Sequence, residues 1–478
     1  MSRAIRIASS ALIAAGLAVS VSAQAPASPS LAGQVDHVFS NFKPDGPGCA
    51  VAVYQNGNVV LAKGYGSANL EYGVPITPST PFIVGSVSKQ FTAAAIALLV
   101  EENRIALTDD VRKYVPELAD YGTPITIDHL VHHTSGLRDW WQLVGLAGMR
   151  YDDTYTAEDV LDMTARQRGL NFTPGERYVY SNTGYIVLGL VVKRVTGKSL
   201  REFAAERIFA PLMMTDSHYQ DDHTQPVRGR AYAYSPAAGG RYAINVWNND
   251  LVGQGGVMTT VLDLGKWDGN FESGKVGGPG FLQRQLERGT LNSGTQLEYA
   301  FGVQISKYRG LDLVEHSGST GGYRAVLTRF PKQRTSIAVL CNVSNAAPVT
   351  LAHRVADHLL RDSFTAPIPA ATATNAAAGA ERPGGGPVAA VQLSIAELAQ
   401  FPGRYYSDEL GALYEITVSG STISVTRPRG KPETLTARDG VTLSGTVGTL
   451  RFTLGPDQRA ERFVLDAGRV QNIAFVRR

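Results

Sequence analysis

A serine and a lysine, Ser86 and Lys89, open a long apolar run of this chain. The run, residues 90–99, predicts a helix that carries the two side chains one turn apart on the same face. A serine hydroxyl is inert at neutral pH until a neighbouring base takes its proton, and a lysine amine is such a base when its pKa is lowered. The start of a helix adds a partial positive charge and free backbone N–H groups that suit a developing oxyanion. This pairing is typical of an activated serine nucleophile.

The same Ser-x-x-Lys spacing occurs again at Ser40 and Lys43. Pro44 follows directly, so a helix that carried Lys43 would end there, and no long apolar run holds the pair in place. We interpret this copy as a solvated helix end. Spacing alone also leaves open that Ser86 merely caps a core helix.

Two later motifs favour the nucleophile interpretation of Ser86: Tyr180-Ser181-Asn182 and His316-Ser317-Gly318. The order Ser-x-x-Lys, Tyr-x-Asn, Lys/His-Ser/Thr-Gly resembles that of the penicillin-recognising serine hydrolases, which include class C β-lactamases, DD-peptidases, D-aminopeptidases and certain esterases. Three more segments resemble recurrent segments of the same family: 130–137, 172–185 and 255–260. The resemblance covers roughly residues 35–360.

This resemblance implies a catalytic role for Ser86, Lys89 and Tyr180. Ser86 would attack a carbonyl carbon and become acylated, while Lys89 keeps its hydroxyl activated. Tyr180 would carry the proton to the leaving group and help to activate the deacylating water. As a tyrosinate it would need a nearby cation, for which Lys89 is the candidate. The backbone N–H groups of Ser86 and Ser319 would form the oxyanion hole.

Substrate binding is expected from Asn182 and from the segment that comprises His316, Ser317, Gly318 and Ser319. β-Lactamases mostly have lysine where this chain has His316, whereas D-aminopeptidases and esterases are among the members of the family that have histidine. Lysine is a permanent cation that suits a substrate carboxylate, and histidine is largely neutral at pH 7. We therefore expect weak or absent β-lactam turnover and a preference for amides or esters that lack this carboxylate.

Together the motifs predict a serine hydrolase that acts through an acyl-enzyme on a small-molecule or peptide substrate. Peptide or amino-acid amide bonds are favoured, including D-configured ones such as those of cell-wall fragments. A carboxylesterase and a true β-lactamase are alternatives within the family. An alternative of another class is a penicillin-binding sensor or acyl-trapping protein that is acylated without turnover. The resemblance implies no metal and no cofactor.

Composition and charge argue against several other classes of protein. The 478 residues have a formal net charge of +3 at pH 7, and the chain has no basic cluster that would favour a nucleic-acid partner. It also lacks a Gly-rich phosphate loop, a metal-ligand spacing and the G-x-S-x-G elbow of α/β-hydrolases.

Residues 1–25 are predicted to be a signal peptide. Arg3 and Arg6 precede an uncharged, mostly apolar stretch from Ile7 to Val21, and small residues follow at the predicted cleavage sites. The stretch is short for a membrane span, so we expect no integral span after its removal, with an uncleaved anchor as the alternative. The expected location is periplasmic or secreted.

The elements that would position the motifs come from both ends of the catalytic region, 26–363. A hairpin is predicted from Cys49 to Ala62. Further strands are predicted at 311–315, 323–330 and 336–343. Helices are predicted at 31–42, 157–167, 186–195 and 351–360. The predicted fold class is α/β and β-lactamase-like: an antiparallel sheet flanked by helices, plus an all-helical region.

Cys49 and Cys341 are the two cysteines of the chain, and each lies in an apolar, strand-like run. In the family fold these two strands are antiparallel neighbours, so the resemblance brings the thiols near each other, and export would allow a disulfide. The favoured alternative is two buried free thiols, because cysteine behaves as a small apolar residue in protein cores.

Residues 364–392 are rich in Ala, Pro, Gly and Thr and are predicted to be a linker. Beyond them, residues 393–478 contain short alternating strands separated by turns such as Asp466-Ala467-Gly468. This part resembles the small all-β barrel domain that some family members carry. It shows no catalytic constellation of its own. Three roles stay open for it: shaping the cleft, mediating a homo-oligomer, and passive attachment.

Other conspicuous residues are predicted to have structural roles. His129, His132 and His133 are spaced unlike a helical metal pair. Trp140 and Trp141 are predicted to pack in the core rather than to line the mouth of a cleft.

Overall fold

The structure is a computed structural model that describes residues 30–368 and 390–478. Apolar and alternating runs of the sequence form strands in both of these stretches. The predicted signal peptide and most of the predicted linker lie outside the described residues. Residues 30–368 contain thirteen strands: β1 (Cys49–Gln55), β2 (Asn58–Tyr65), β3 (Ser67–Asn69), β4 (Val74–Pro75), β5 (Phe82–Ile83), β6 (His218–Tyr219), β7 (Tyr234–Pro236), β8 (Tyr242–Ile244), β9 (Val257–Thr259), β10 (Gln304–Tyr308), β11 (Leu311–Thr320), β12 (Tyr323–Phe330) and β13 (Thr335–Cys341). Residues 390–478 contain eight: β14 (Gly403–Ser407), β15 (Ala412–Ser419), β16 (Thr422–Thr426), β17 (Glu433–Ala437), β18 (Thr442–Gly445), β19 (Gly448–Leu454), β20 (Ala460–Ala467) and β21 (Val470–Arg477).

Helices occupy much of the chain between the strands of the first stretch, and a short one precedes the strands of the second. The eleven α-helices of the described residues are α1 (Leu31–Val38), α2 (Lys89–Glu101), α3 (Ile127–Val131), α4 (Trp140–Leu146), α5 (Ala157–Ala165), α6 (Asn182–Thr196), α7 (Leu200–Ala204), α8 (Val261–Ser273), α9 (Gly278–Gln285), α10 (Pro348–Leu359) and α11 (Ile395–Leu398). A 3-10 turn, Gly85–Ser88, leads directly into α2. No helix in these two stretches has both the length and the apolar character that crossing a membrane requires.

Six strands form one antiparallel sheet in the order β10-β11-β12-β13-β1-β2. Because β1 pairs with β13, the sheet joins the two ends of the catalytic region, as the sequence predicts. Side chains alternate across the sheet. Val51 and Val53 of β1 belong to a core shared with α1 and α10, and Ala50 and Ala52 belong to the core on the other face, shared with α2 and α8. The predicted α/β fold, a sheet flanked by helices, is confirmed.

Cys49 and Cys341 are joined by a disulfide in this structure. The register of β1 against β13 places the two residues directly opposite each other. The favoured prediction of two free thiols is therefore wrong. Both runs were correctly predicted as strands, but only their pairing register brings the sulfur atoms into bonding range.

The last eight strands close into an antiparallel barrel, β14 to β21, which confirms the predicted all-β barrel. Its interior is filled by fully buried apolar and aromatic side chains, among them Tyr405, Tyr414, Leu450, Phe463 and Phe475. Closure pairs the edges of the first and last strands with each other, which removes the exposed edges that a small open sheet would have.

The barrel packs against the helical region near α4. Buried residues of α4, including Trp140 and Leu143, share one apolar cluster with the barrel interior. Beside this cluster Arg138 forms a buried ion pair with Glu409, with a distance of 2.5 Å between Nη1 and the carboxylate oxygen. Arg138 also donates to the backbone carbonyl of Gln471, 2.9 Å away. Removing one partner of a buried ion pair leaves an uncompensated charge, so the loss of either Arg138 or Glu409 would weaken the docking of the barrel.

Several elements differ in length from their predictions, and two of these differences affect the motifs. Strand β11 was predicted to end at Glu315, but it continues to Thr320 and carries the His316–Ser319 segment along the sheet. Helix α6 was predicted from Ile186, but it begins at Asn182, two residues after Tyr180 and directly after its N-cap Ser181. In both cases polar motif residues interrupt the apolar pattern from which the element was predicted. The partners of these residues come from other parts of the fold.

Candidate active site

The turn that carries Ser86 and the strand that carries the His316–Ser319 segment pass in close contact. Gly85 has a positive φ of 52°, and a Cβ at this position would lie 2.7 Å from the backbone nitrogen of Ser319. A Cβ at Gly318 would collide with the carbonyl oxygen of Val84. Glycine at both positions therefore allows the backbone of Ser319 to approach the backbone of Ser86, as the predicted oxyanion hole requires.

Lys89 is fully buried one turn after Ser86, and its amine has three polar neighbours. Nζ lies 3.1 Å from Ser86 Oγ, 2.9 Å from Asn182 Oδ1 and 2.6 Å from the carbonyl oxygen of Gln254. Burial lowers the pKa of Lys89 well below its usual value, against the opposing effect of the Asp139 carboxylate. A lysine in these surroundings favours the neutral amine, which is the form that can accept a proton.

Asp139 fixes the orientation of the Asn182 side chain. The buried Asp139 carboxylate accepts hydrogen bonds from the backbone nitrogen of Asn182 at 2.7 Å and from its Nδ2 at 3.0 Å. Because the amide nitrogen is committed to a carboxylate, the amide oxygen faces Lys89. Asp139 also caps α4 and lies at the start of α6, where the helix dipole favours a negative charge. No sequence motif singled out this residue.

Tyr180 is buried between several basic side chains. Its ring centroid lies 4.2 Å from that of His133, 4.7 Å from Lys89 Nζ and 5.0 Å from the guanidinium carbon of Arg469. Its hydroxyl finds no hydrogen-bond partner of good geometry among the described residues, although it lies near enough to Ser86 to be influenced by it. Burial raises the pKa of Tyr180 above its usual value, while Ser86 and Arg469 act to lower it.

The expected tyrosinate stabilised by Lys89 is therefore not what this structure supports. Burial favours the neutral phenol at Tyr180, and it also favours the neutral amine at Lys89. Exclusion of water favours the uncharged form of both groups, and a sequence motif does not reveal this exclusion.

His316 lies behind the cavity wall. It is almost fully buried, its Nδ1 lies 2.7 Å from the carbonyl oxygen of Ser317, and its Nε2 lies 3.1 Å from the hydroxyl of Tyr299. A carbonyl oxygen only accepts, so Nδ1 donates to it and Nε2 accepts from Tyr299. Burial is the main cause that lowers the pKa of His316 to about 3, so the ring is neutral at pH 7.

A cavity of about 540 Å³ opens at Ser86. The predicted site residues that line it are Ser86, Tyr180, Asn182, Ser317, Gly318 and Ser319. Lys89 and His316 contact these residues from behind. Trp140 and Trp141 also line the cavity, so the prediction that they serve packing alone is wrong. Trp140 lines the cavity and also packs in the core, since it is fully buried and belongs to the apolar cluster that α4 shares with the barrel.

Two of the histidines that were predicted to be structural, His129 and His133, have structural contacts. His129 completes a capping box at the start of α3 with Thr126. The Nδ1 atom of His133 accepts a hydrogen bond from the backbone nitrogen of Ser181 at 3.1 Å, which positions the Tyr-x-Asn segment.

The barrel contributes Arg469 to the cavity, a residue that the motif search missed. Arg469 follows the predicted Asp466-Ala467-Gly468 turn, between β20 and β21. Its guanidinium lies 3.8 Å from the Asp139 carboxylate. The turn was visible in the sequence, but nothing in it indicated that the barrel would place it against the serine site.

Comparison with known proteins supports the arrangement. Residues 35–361 match the family model described as Beta-lactamase. A D-aminopeptidase of Gluconobacter oxydans is 31% identical over 313 residues, which are 65% of this chain and 58% of that protein. A D-aminopeptidase of Brucella ovis is 30% identical over 319 residues, which are 67% of this chain and 60% of that protein. The chain thus spans somewhat less than two thirds of the length of these curated relatives.

A solved structure extends the likeness beyond the family match. The octameric penicillin-binding protein homologue from Pyrococcus abyssi aligns with a TM-score of 0.61 and 24% identity. The alignment covers 93% of this chain and 99% of that one, so the likeness in fold reaches the barrel as well as the sheet. The family match alone takes in the sheet, the helical region and all three motifs, well over half of the 478 residues. The chain belongs to the beta-lactamase family.

Proposed function

We propose that this chain is a serine hydrolase that cleaves amide bonds through an acyl-enzyme on Ser86. The observation that carries the proposal is the environment of Lys89. This side chain is fully buried, and it lies 3.1 Å from Ser86 Oγ and close to two oxygen acceptors.

The two acceptors determine where the lone pair of the Lys89 amine points. A neutral amine has two N–H groups and one lone pair. The N–H groups are used by Asn182 Oδ1 and by the carbonyl oxygen of Gln254, both of which can only accept. The third neighbour, Ser86 Oγ, then faces the lone pair and can donate its proton to it. Lys89 is therefore arranged as the base that activates the nucleophile.

Attack by Ser86 Oγ on a substrate carbonyl would form a tetrahedral oxyanion between the backbone N–H groups of Ser86 and Ser319. Lys89 takes the hydroxyl proton. Neutral Tyr180 donates its own proton to the leaving amine and regains one from Lys89, so the serine proton ends on the product. Water then attacks the ester at Ser86, with Tyr180 and Lys89 reversing their roles, and releases the acid.

For the substrate we propose the amide bond of an amino acid or peptide, of D configuration. The curated relatives named D-aminopeptidase support this class. The neutral, buried His316 supports weak β-lactam turnover, because it offers no positive charge to the carboxylate of a penicillin. A carboxylesterase would use the same geometry and is the second candidate.

Turnover of D-alanine p-nitroanilide and of p-nitrophenyl butyrate distinguishes these candidates, with Ser86→Ala as the blank. Faster Ser86-dependent cleavage of the D-amide than of the L-amide and of the ester supports the proposal. Cleavage of the ester alone would favour the carboxylesterase, and efficient penicillin hydrolysis would overturn the substrate assignment. One equivalent of released nitrophenol without steady turnover would identify an acyl-trapping protein.

We also propose that the protein is exported, to the periplasm or beyond. The Cys49–Cys341 disulfide supports this location, because disulfides persist in oxidising compartments. Cell fractionation of the full chain, with mass spectrometry of the mature N-terminus, tests both export and the predicted cleavage near residue 25. Recovery of the uncleaved, reduced chain from the cytoplasm would contradict the proposal.

A homo-oligomer formed through the barrel is a further proposal. The homologue from Pyrococcus abyssi, which aligns over most of this chain, is described as octameric. Light scattering of the purified protein at several concentrations measures its mass, and a monomer throughout would refute the oligomer.

A further inference from the structure

We propose that Arg469 of the barrel is a positioning residue of the serine site. Its permanent positive charge favours the uncharged amine of Lys89 and the release of the proton from Tyr180. The inference rests on the proposed function, since it assigns a role within the same reaction. Arg469 lines the cavity at Ser86, and its guanidinium lies 5.0 Å from the centroid of the Tyr180 ring.

The backbone of Arg469 is anchored independently of its side chain. Its nitrogen donates to Gln142 Oε1 at 2.7 Å, and its carbonyl oxygen accepts from Asn171 Nδ2 at 2.8 Å. The neighbouring Gly468 has a positive φ of 51°, and a Cβ there would lie 3.0 Å from the Gln142 amide. Two backbone hydrogen bonds and the close approach of Gly468 thus hold the turn against the catalytic region, so a substitution of the Arg469 side chain leaves the docking of the turn in place.

Among the described residues, Arg469 differs in its charge from the other basic side chains around Tyr180. Lys89, His133 and His316 all contact the Tyr180 ring, and burial lowers the pKa of each below its usual value. A guanidinium keeps its charge across the physiological range of pH. The barrel therefore supplies a lasting positive charge at this ring, while burial disfavours the charged forms of the three groups from the catalytic region.

The charge of Arg469 acts on both groups that exchange protons. It lowers the pKa of Lys89, which favours the neutral base, and it lowers the pKa of Tyr180, which opposes the effect of burial there. Asp139 acts in the opposite sense on both groups. The charged or titratable groups that face Lys89 and Tyr180 come from α6, β11, loops of the catalytic region and the barrel: Asp139, His133, Tyr185, Tyr299, His316 and Arg469.

The test measures how fast Ser86 is labelled by a fluorophosphonate as a function of pH, because this reagent reads the reactivity of the nucleophile without requiring the proposed substrate. Ser86→Ala is the blank. In Arg469→Gln the pKa of Lys89 rises, so the acidic limb of the labelling rate moves to higher pH by about one unit. Below this limb, labelling becomes about tenfold slower than in the wild-type protein.

Two further variants separate charge from structure. Arg469→Lys retains the charge and should recover most of the shift. Arg427→Gln removes an arginine from the same interface, where its side chain binds Glu433 and the Gly145 carbonyl oxygen, and should leave the limb where it is.

The outcomes are distinguishable. A limb that stays in place in folded Arg469→Gln, or an equal shift in Arg427→Gln, would overturn the role of Arg469 and leave the proposed function standing. Wild-type protein that is labelled at Ser86 but does not cleave the D-amide would refute only the proposed substrate. Absence of Ser86 labelling in the wild-type protein would contradict the nucleophile and, with it, this inference.

Discussion

The chain contains the Ser-x-x-Lys spacing in two places with opposite surroundings. At residues 40–43 the lysine is exposed, helix α1 has already ended at Val38, and Lys43 Nζ donates to the backbone carbonyl of Ser40 at 2.7 Å. At residues 86–89 the lysine is fully buried and lies 3.1 Å from the Ser86 hydroxyl. The spacing is the same, but only in the second pair does the lysine amine contact the serine hydroxyl.

The difference shows that burial and fixed acceptors, rather than spacing, make a lysine into a base. Water stabilises the charged amine of an exposed lysine. Around Lys89 water is excluded, and two oxygen acceptors orient the amine. The predictions below either remove this difference between the two lysines or measure its consequences.

Replacing each lysine by methionine gives the largest expected contrast. Lys89→Met removes the base and should lower kcat for D-alanine p-nitroanilide by about 10²–10⁴-fold. Lys43→Met, the matched control, should leave kcat unchanged. The melting temperature of each variant shows whether it is folded. A folded Lys89→Met variant with more than a tenth of the wild-type kcat would refute Lys89 as the base.

The pH dependence of kcat/KM should report the lowered pKa of Lys89. The amine must be neutral to act, so activity is present above this pKa and is lost as the pH falls through it; the limb should lie well below the usual lysine value of 10.5. In Asp139→Asn the loss of the negative charge should lower this pKa further and move the limb by about one unit to lower pH. Movement to higher pH would contradict the assignment of the limb to Lys89.

Burial should also keep His316 neutral, so it should not titrate in the range where most histidines do. With its pKa lowered to about 3, the imidazole signals of His316 should stay constant in NMR spectra between pH 5 and pH 8. Assignment comes from the signal that disappears in His316→Gln. A His316 midpoint near 6.5 would show that water reaches the region behind the cavity wall, and it would weaken the argument for neutral Lys89 as well.

The smallest effect is expected at the first serine. Ser40→Ala removes an exposed hydroxyl that bonds the His37 carbonyl oxygen, so the free energy of unfolding should change by no more than about 0.5 kcal/mol. Activity should be unchanged. Chemical denaturation and the nitroanilide assay measure both, and a loss of activity would show that this segment matters to the site after all.

Much of the fold was predictable because the patterns involved are local. The β1–β2 hairpin, the strands β12 and β13 and the barrel strands all carry apolar or alternating runs bounded by turn residues. The ends of β11 and α6 were not predictable. Both elements continue through polar motif residues, His316 and Asn182, which have side-chain partners outside β11 and α6 that local patterns do not reveal.

The site was predictable to the extent that it is made of motifs. Ser86, Tyr180, Asn182 and the 317–319 segment meet at one cavity, as expected. Asp139 and Arg469 were missed, since a lone aspartate and a lone arginine have no sequence signature. The prediction of free thiols at Cys49 and Cys341 was wrong because strand register is a long-range property, which local sequence patterns do not reveal.

The family, the order of the motifs, the sheet built from both ends of the catalytic region and the C-terminal barrel could all be inferred from the amino-acid sequence. The motifs, strands and turns are patterns of residues that are neighbours along the chain, and the resemblance of the motifs to the family implied how the two ends pair. Three features became visible only in the folded chain: Lys89 is buried while Lys43 is exposed, Cys49 is bonded to Cys341, and the barrel places Arg469 beside Tyr180. The physical reason is that a pKa depends on solvent exclusion and on nearby charges, and here those charges come from Asp139 and Arg469, which lie far from Lys89 in the sequence.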